Sequence, residues 1–475
     1  MDFRELIATN IHNNLDALCC TISGEPYTYN DLNQFLEIHC QSFDNISNSR
    51  IGIIIRNDFN TYAAIISSIL NGVTFVPINP NYPEQRITDI IKASEINTCY
   101  DSFNSFRFED VNLLNGNEKN EIWRLKTIDY SRFCYILFTS GTTGKPKGVP
   151  ISYSNINAFL IGFQNLGYNV TSEDRFLQMF ELTFDLSVVS YIAPLMYGAS
   201  FHTLDTSMVK PLALYDALDS QKITIALMVP SAIDMLMPYA EDIELPHLRL
   251  TQFCGEALKK RQVELWNNCI PNTQIDNVYG PTEATIYCTR YTIPQNNGIL
   301  HHNGIVCIGK AMSETVLEIS VEGELCLGGG QVSPGYLHAT DEQKSKFYLK
   351  NNIHFYYSGD NASIDNNLFY CHGRIDDQVK IQGFRVELAE LEFACNSIFP
   401  TLENTAIAVD GNNGTELHLF VKTHYNENTQ SKLQHNIKQL LPWYMVPHKI
   451  HWVDNFPLNV NGKIDKNKLK QQVSN

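Results

Sequence analysis

The sequence predicts an α/β protein with a large N-terminal part and a small α+β part at its C-terminal end. Two observations carry that reading. Short apolar runs alternate with helix-period segments over most of the chain, and the pattern changes character after Arg374. A third observation bounds it: no stretch approaches the roughly 18 apolar residues of a membrane span.

Taken in order, Ile51-Gly52-Ile53-Ile54-Ile55 is an apolar run of strand length. Tyr62 to Leu70 has helical spacing, and Val73-Thr74-Phe75-Val76-Pro77 is the next strand. Further strands fall at Phe133 to Phe138, Ile223 to Val229 and Leu250 to Cys254. Strands alternating with helices imply largely parallel sheets. The Asn-rich stretch from Asn112 to Asn120 reads as a surface loop. Beyond Arg374, Asp376-Asp377 precedes an alternating Gln378-Val379-Lys380-Ile381 and a helical pattern from Glu387 to Ile398. The expected domains are therefore 1–375 and 376–475.

Composition excludes several functions. Of 475 residues, 44% are hydrophobic and 18% charged, and the net charge is −16. Nucleic acids and anionic membranes need clustered Lys and Arg, so neither is an expected partner. The 12 cysteines form no Cys-x-x-Cys pair, which removes zinc ribbons and thioredoxin-like motifs. Free thiols in a reducing cytosol are expected. The start, MDFRELIATNIHNN, lacks the apolar core of a signal peptide.

The most informative segment is Thr139-Ser140-Gly141-Thr142-Thr143-Gly144-Lys145-Pro146-Lys147-Gly148, which follows a strand. Its glycines let the backbone turn tightly and aim N–H groups at a ligand. Four hydroxyls and two lysines add donors and positive charge suited to a polyphosphate. It is not a Walker A loop, because Pro146 blocks the helix such a loop starts. This run resembles the phosphate loop of the adenylate-forming superfamily: acyl-CoA synthetases, luciferases and peptide-synthetase adenylation domains.

The superfamily's other motifs follow in order. Asn277-Val278-Tyr279-Gly280-Pro281-Thr282-Glu283 resembles its adenine and magnesium motif. Tyr279 offers a face to a purine, Thr282 a hydroxyl to the α-phosphate and Glu283 a hard oxygen to Mg²⁺. The run Gly323 to Gly330, continued by Gly335-Tyr336-Leu337, resembles a structural motif. In Tyr357-Ser358-Gly359-Asp360, the resemblance assigns Asp360 to the ribose hydroxyls, although Ser358 and Asn361 depart from the usual Thr and apolar residue. Gly373 to Gly383 resembles the hinge motif, with Arg374 on the nucleotide, Asp376 as pivot and Gly383 beside a thiol tunnel. Near the end, Asn461-Gly462 marks a hairpin that places Lys463 at its tip. The resemblance makes Lys463 the catalytic lysine that bridges carboxylate and phosphate.

What the resemblance implies is a large multi-sheet domain with a small mobile α+β domain, using ATP and Mg²⁺. The implied reaction adenylates an acid, releases pyrophosphate and passes the acyl group to a thiol. Asp185, in Phe184-Asp185-Leu186-Ser187, matches the aspartate that pairs with an amino-acid ammonium; the alternative is a plain helix N-cap. With Cys254 in Phe253-Cys254-Gly255-Glu256, it resembles the subgroup of D-alanine–D-alanyl carrier protein ligases; the alternative for Cys254 is an ordinary small wall residue. Val278 and Ile286 fall on pocket walls with Val189, Leu227, Gln252 and Tyr287, several of them bulkier than a D-alanine pocket needs. The chain ends ten residues after Asp465, so the phosphopantetheine thiol is expected on a separate carrier protein. A cytoplasmic monomer is expected. The competing readings are an acyl- or aryl-CoA synthetase and an inactive nucleotide-binding scaffold.

Overall fold

The computed structural model describes residues 2–44, 46, 50–108, 111–114, 122–141, 145–295, 298–411, 414–458 and 464–473. The chain divides into two units. The first comprises Met1–Pro80, Ile91–Leu137 and Gly148–Ile375. The second comprises Asn81–Ile90, Phe138–Lys147 and Asp376–Asn475, so it is not contiguous in sequence.

Built mainly from the first unit, a six-stranded sheet runs in the order Asn112–Leu113, Thr98–Tyr100, Arg50–Ile54, Thr74–Ile78, Phe133–Thr139, Lys147–Ser152. Arg50–Ile54 and Thr74–Ile78 pair in parallel, which requires a crossover, and helix Phe59–Asn71 supplies it. That helix begins three residues before the apolar period does, because the Asp58 side chain accepts from Thr61 N. It stops at Gly72, whose φ of 71° suits a left-handed cap. The loop expected from Asn112 is corrected at its start: Asn112 and Leu113 pair in parallel with Thr98 and Cys99. An exposed edge tolerates the polar Asn there.

A nine-stranded sheet runs Lys310–Ala311, Thr289–Thr292, Gln274–Tyr279, Leu250–Phe253, Ile225–Met228, Arg175–Gln178, Ser200–Thr203, Leu18–Ile22, Glu25–Thr28. Its interior pairs are parallel and its outer pairs antiparallel. The parallel alternation does not extend to the third sheet. Thr315–Ile319, Glu324–Gly329, Ile353–Asp365, Phe347–Lys350 and Leu368–Arg374 pair antiparallel. The cause is local. Asn351-Asn352 (φ 50° and 61°) and Asn366-Asn367 (φ 50° and 60°) are left-handed pairs that turn tight hairpins. The second hairpin sets Arg374 opposite Asp360.

In the second unit, strands Gln378–Ile381 and Phe384–Glu387 form a hairpin. Its turn holds Gln382 at φ 49° and Gly383 at φ 88°, a conformation that by itself calls for glycine at Gly383. Strands Asn404–Gly411, Gly414–Lys422 and Lys449–Val453 form a second sheet, packed through Leu391, Leu417, Leu419, Ile437 and Met445. Asn461, Gly462 and Lys463 lie outside the described residues; Leu458 and Ile464, on either side, form an antiparallel bridge. No described helix is long and apolar enough to cross a membrane.

Candidate nucleotide and acid-binding site

Asp360 is the centre of one cluster in the first unit. Arg374, across the strand pair, places Nη1 3.4 Å from Asp360 Oδ1 and donates to Ser358 O at 2.6 Å. Tyr279, at the end of strand Gln274–Tyr279, donates its hydroxyl to Asp360 Oδ2 at 2.5 Å. Burial first, and then the charge of Asp360, push the Tyr279 phenol well up, so it stays a donor. Ser358 takes part through its hydroxyl, which accepts from Asp360 N at 3.0 Å and donates to Leu325 O at 2.8 Å. The departure from threonine therefore leaves the hydroxyl function intact.

The chain after Tyr279 is a compact loop closed by Cys288 N donating to Tyr279 O at 2.8 Å. Gly280 is required there, since a Cβ would lie 2.4 Å from Tyr287 Cα. Asn277 uses its side chain to hold the strand end, donating to Cys307 O at 2.9 Å. Thr282–Ala284 is one turn of 3₁₀ helix. Within it Glu283 is fully buried, and its Oε1 accepts from Tyr336 OH at 2.5 Å. Thr285 and Ile286 follow at φ 55° and 72°. Two β-branched residues in succession in the left-handed region cost about 1–3 kcal/mol each, so the surroundings must hold them there.

Asp185 stands at the N-cap position of helix Leu186–Met196 but makes no side-chain capping bond. It is 4% exposed. Its charge, after burial itself, pushes up the phenol of nearby Tyr135. The Tyr135 hydroxyl is buried and has no hydrogen-bond partner among the described residues. Cys254, Val278, Ile286, Val189, Leu227 and Tyr287 belong to the same apolar cluster as Tyr135. Gln252 Nε2 donates to Tyr168 OH at 3.0 Å and to Tyr287 OH at 3.3 Å. Tyr168 donates onward to the buried Asp276 at 2.6 Å. Two of the bulky wall residues are thus locked by a polar network behind them.

The described part of the phosphate loop belongs to the second unit. Thr139 ends its strand. Ser140 Oγ donates to Arg385 O at 2.8 Å, Gly141 N to Glu390 Oε2 at 3.3 Å, and Lys147 Nζ sits 3.4 Å from Glu387 Oε1. Two of its donors thus face carboxylates, the charge type such a loop is built to hold. Thr142, Thr143, Gly144 and Lys463 lie outside the described residues. Asp376 is exposed, with Oδ1 accepting from Gln378 N at 3.2 Å.

Two residues of this site escaped the sequence reading. Tyr336 and Gln331 hold the turn after Tyr279 from about 50 residues downstream. In the sequence Tyr336 stands out only as part of a structural motif, and Gln331 carries one weak signal, a lone amide among glycines and apolar residues.

The α/β fold is shared with known adenylation domains. The family model described as AMP-binding enzyme matches residues 8–337, and the chain belongs to that family. Among curated proteins it is 30% identical over 453 residues to the D-alanine–D-alanyl carrier protein ligase of Staphylococcus epidermidis, covering 90% of this chain and 91% of that one. It is 31% identical over 428 residues to the ligase of the same name from Staphylococcus aureus, covering 86% and 87%. Among solved structures, the Vibrio cholerae adenylation domain AlmE in complex with glycyl-adenosine-5′-phosphate superposes with a TM-score of 0.87 at 24% identity, covering 100% of this chain and 98% of that one. The peptide-synthetase protein PA1221, with adenylation and carrier domains, gives 0.85 at 19% identity, covering 99% and 84%. The expected adenylate-forming fold is thereby borne out.

Proposed function

We propose that this protein adenylates D-alanine or another small amino acid with ATP and then loads it onto the phosphopantetheine thiol of a separate carrier protein. The observation that carries the reading is the convergence of Tyr279 and Arg374 on Asp360. A carboxylate fixed on both oxygens offers the paired acceptors that two ribose hydroxyls need. The names of the curated relatives support the acid and the carrier.

In the first step a carboxylate oxygen bonds to the α-phosphorus, the bond to the β-phosphate oxygen breaks, and pyrophosphate leaves. Two anions must meet, so catalysis rests on positioning and on offsetting charge. We assign that work to Lys463 and to the donors of the loop from Thr139 to Lys147. Glu283, held by Tyr336, is a hard oxygen donor of the kind Mg²⁺ takes beside phosphate oxygens. Bound there, the ion would neutralise phosphate charge. Thr282 faces the α-phosphate in this reading, and Asp185 pairs with the amino-acid ammonium above walls that include Cys254, Val278 and Ile286.

In the second step the thiol sulfur bonds to the carbonyl carbon, the carbon–oxygen bond to AMP breaks, and the thiol proton passes to solvent. Asp376 is the proposed pivot between domains 1–375 and 376–475. A cytosolic monomer completes the proposal. The test is a pyrophosphate-exchange screen over amino acids in both enantiomers. Exchange driven by D-alanine or another small amino acid supports the reading; exchange driven only by fatty or aryl acids replaces it with a CoA synthetase.

A further inference from the structure

We infer that Gln331 is a positioning residue for amino-acid activation: it sets the places of Glu283 and Ile286 while touching no substrate itself. The inference rests on the reading that the protein activates an amino acid.

Gln331 is fully buried. Its Nε2 faces three backbone carbonyls of one turn: Tyr287 O at 2.9 Å, Ala284 O at 3.3 Å and Thr285 O at 3.4 Å. Its Oε1 accepts from Thr315 Oγ1 at 2.7 Å. Three acceptors on one side and a hydroxyl donor on the other leave the amide only one orientation. The backbone carbonyl of Gln331 also accepts from Thr285 Oγ1 at 2.5 Å. Gln331 therefore grips the left-handed pair Thr285 and Ile286 from both its side chain and its main chain.

Two residues further on, Ser333 N donates to Glu283 O at 2.8 Å, and Tyr336 holds the Glu283 carboxylate. The segment from Gln331 to Tyr336 thus fixes both ends of the turn, the acid-wall residue Ile286 and the carboxylate Glu283. Tyr279, Asp360 and Arg374 are held by strand pairing and by each other. Loosening the grip of Gln331 should move the first pair and leave the nucleotide cluster in place.

The test compares the wild type with Gln331→Leu, which keeps the bulk and removes the amide, and with Thr315→Val, which removes only the bond that orients it. For Gln331→Leu the amino-acid KM and the Mg²⁺ giving half-maximal exchange should each rise about tenfold, the scale of losing buried hydrogen bonds. AMP affinity without metal should stay within about twofold. Thr315→Val should shift the same two quantities about threefold. Amide hydrogen exchange of Ala284, Thr285 and Cys288 should quicken in both.

The inference is overturned by folded variants whose amino-acid KM and Mg²⁺ requirement match the wild type, or by an equal loss of AMP affinity, which would mean a general structural role. Should Gln331→Leu fail to fold, Thr315→Val decides alone. A wild type without amino-acid-dependent exchange sinks the functional reading instead; unchanged amide exchange in the variants would still overturn the clamp.

Discussion

Tyr279 and Asp360 are 81 residues apart in sequence and 2.5 Å apart at their oxygens. Tyr279 ends a strand of the nine-stranded sheet, whereas Asp360 lies in the antiparallel sheet. Their hydrogen bond joins two sheets of the first unit at the point where the proposed nucleotide sits. It also holds the carboxylate in one orientation before any ligand arrives, which lowers the ordering cost of binding.

That relationship predicts a graded result. Tyr279→Phe keeps the ring and removes the donor, and should weaken AMP binding about tenfold, the lower range for a hydrogen bond to a charged group. Asp360→Ala should weaken it by about a hundredfold or more. Calorimetric titration with AMP measures both. Equal affinity for Tyr279→Phe and wild type would show that the bond does not orient the carboxylate.

Asp185→Asn preserves shape and removes the charge. Amino-acid-dependent exchange should drop in kcat/KM by about a hundredfold or more, as expected when one partner of a buried charge pair is lost. AMP affinity should not change. A variant that activates amino acids normally would return Asp185 to a structural role at the head of its helix.

Lys463→Ala should lower the adenylation rate by about a thousandfold, the scale of removing a transition-state charge stabiliser. AMP binding should persist. An undiminished pyrophosphate-exchange rate would remove the lysine from the mechanism.

A pH prediction follows from Asp101 in the first unit. Burial acts to raise its pKa, but the Arg56 guanidinium and the N–H groups of Phe106, Ser105 and Phe103 outweigh it and hold the carboxyl at about 2, below its ordinary 3.8. A depressed folded-state pKa contributes stability that is complete above the ordinary value and is lost as pH falls through the folded one. Asp101→Asn should therefore lower Tm near neutral pH, and the gap to wild type should close as pH falls from about 4 to about 2. Thermal melts across that window check it; a constant gap would deny the ionised carboxylate its role.

The legible parts of the fold were those governed by local rules. The Ile51–Ile55 run and the helix beginning near Tyr62 appear close to where periodicity puts them, shifted by a cap at Asp58. The antiparallel sheet is not legible from periodicity, although Asn351-Asn352 and Asn366-Asn367 turn its hairpins. Asn-Asn is a weaker hairpin signal than Asn-Gly, and in an Asn-rich chain it does not stand out.

Sequence by itself determined the candidate groups: a glycine-rich run from Thr139 to Gly148, the Tyr279–Glu283 run, Asp360, Arg374 and Lys463, in that order. These are short contiguous motifs, and the backbone and side-chain types that nucleotide chemistry needs can be read within a few residues. Only the tertiary structure decided which groups meet. It set Tyr279 and Arg374 on Asp360, put Tyr168 and Asp276 behind Gln252, and gave Gln331 its grip on Thr285 and Ile286. The Arg374–Asp360 pairing follows from the register of the Asn366-Asn367 hairpin, whereas the others are contacts between segments far apart in the chain, which no local motif spells out.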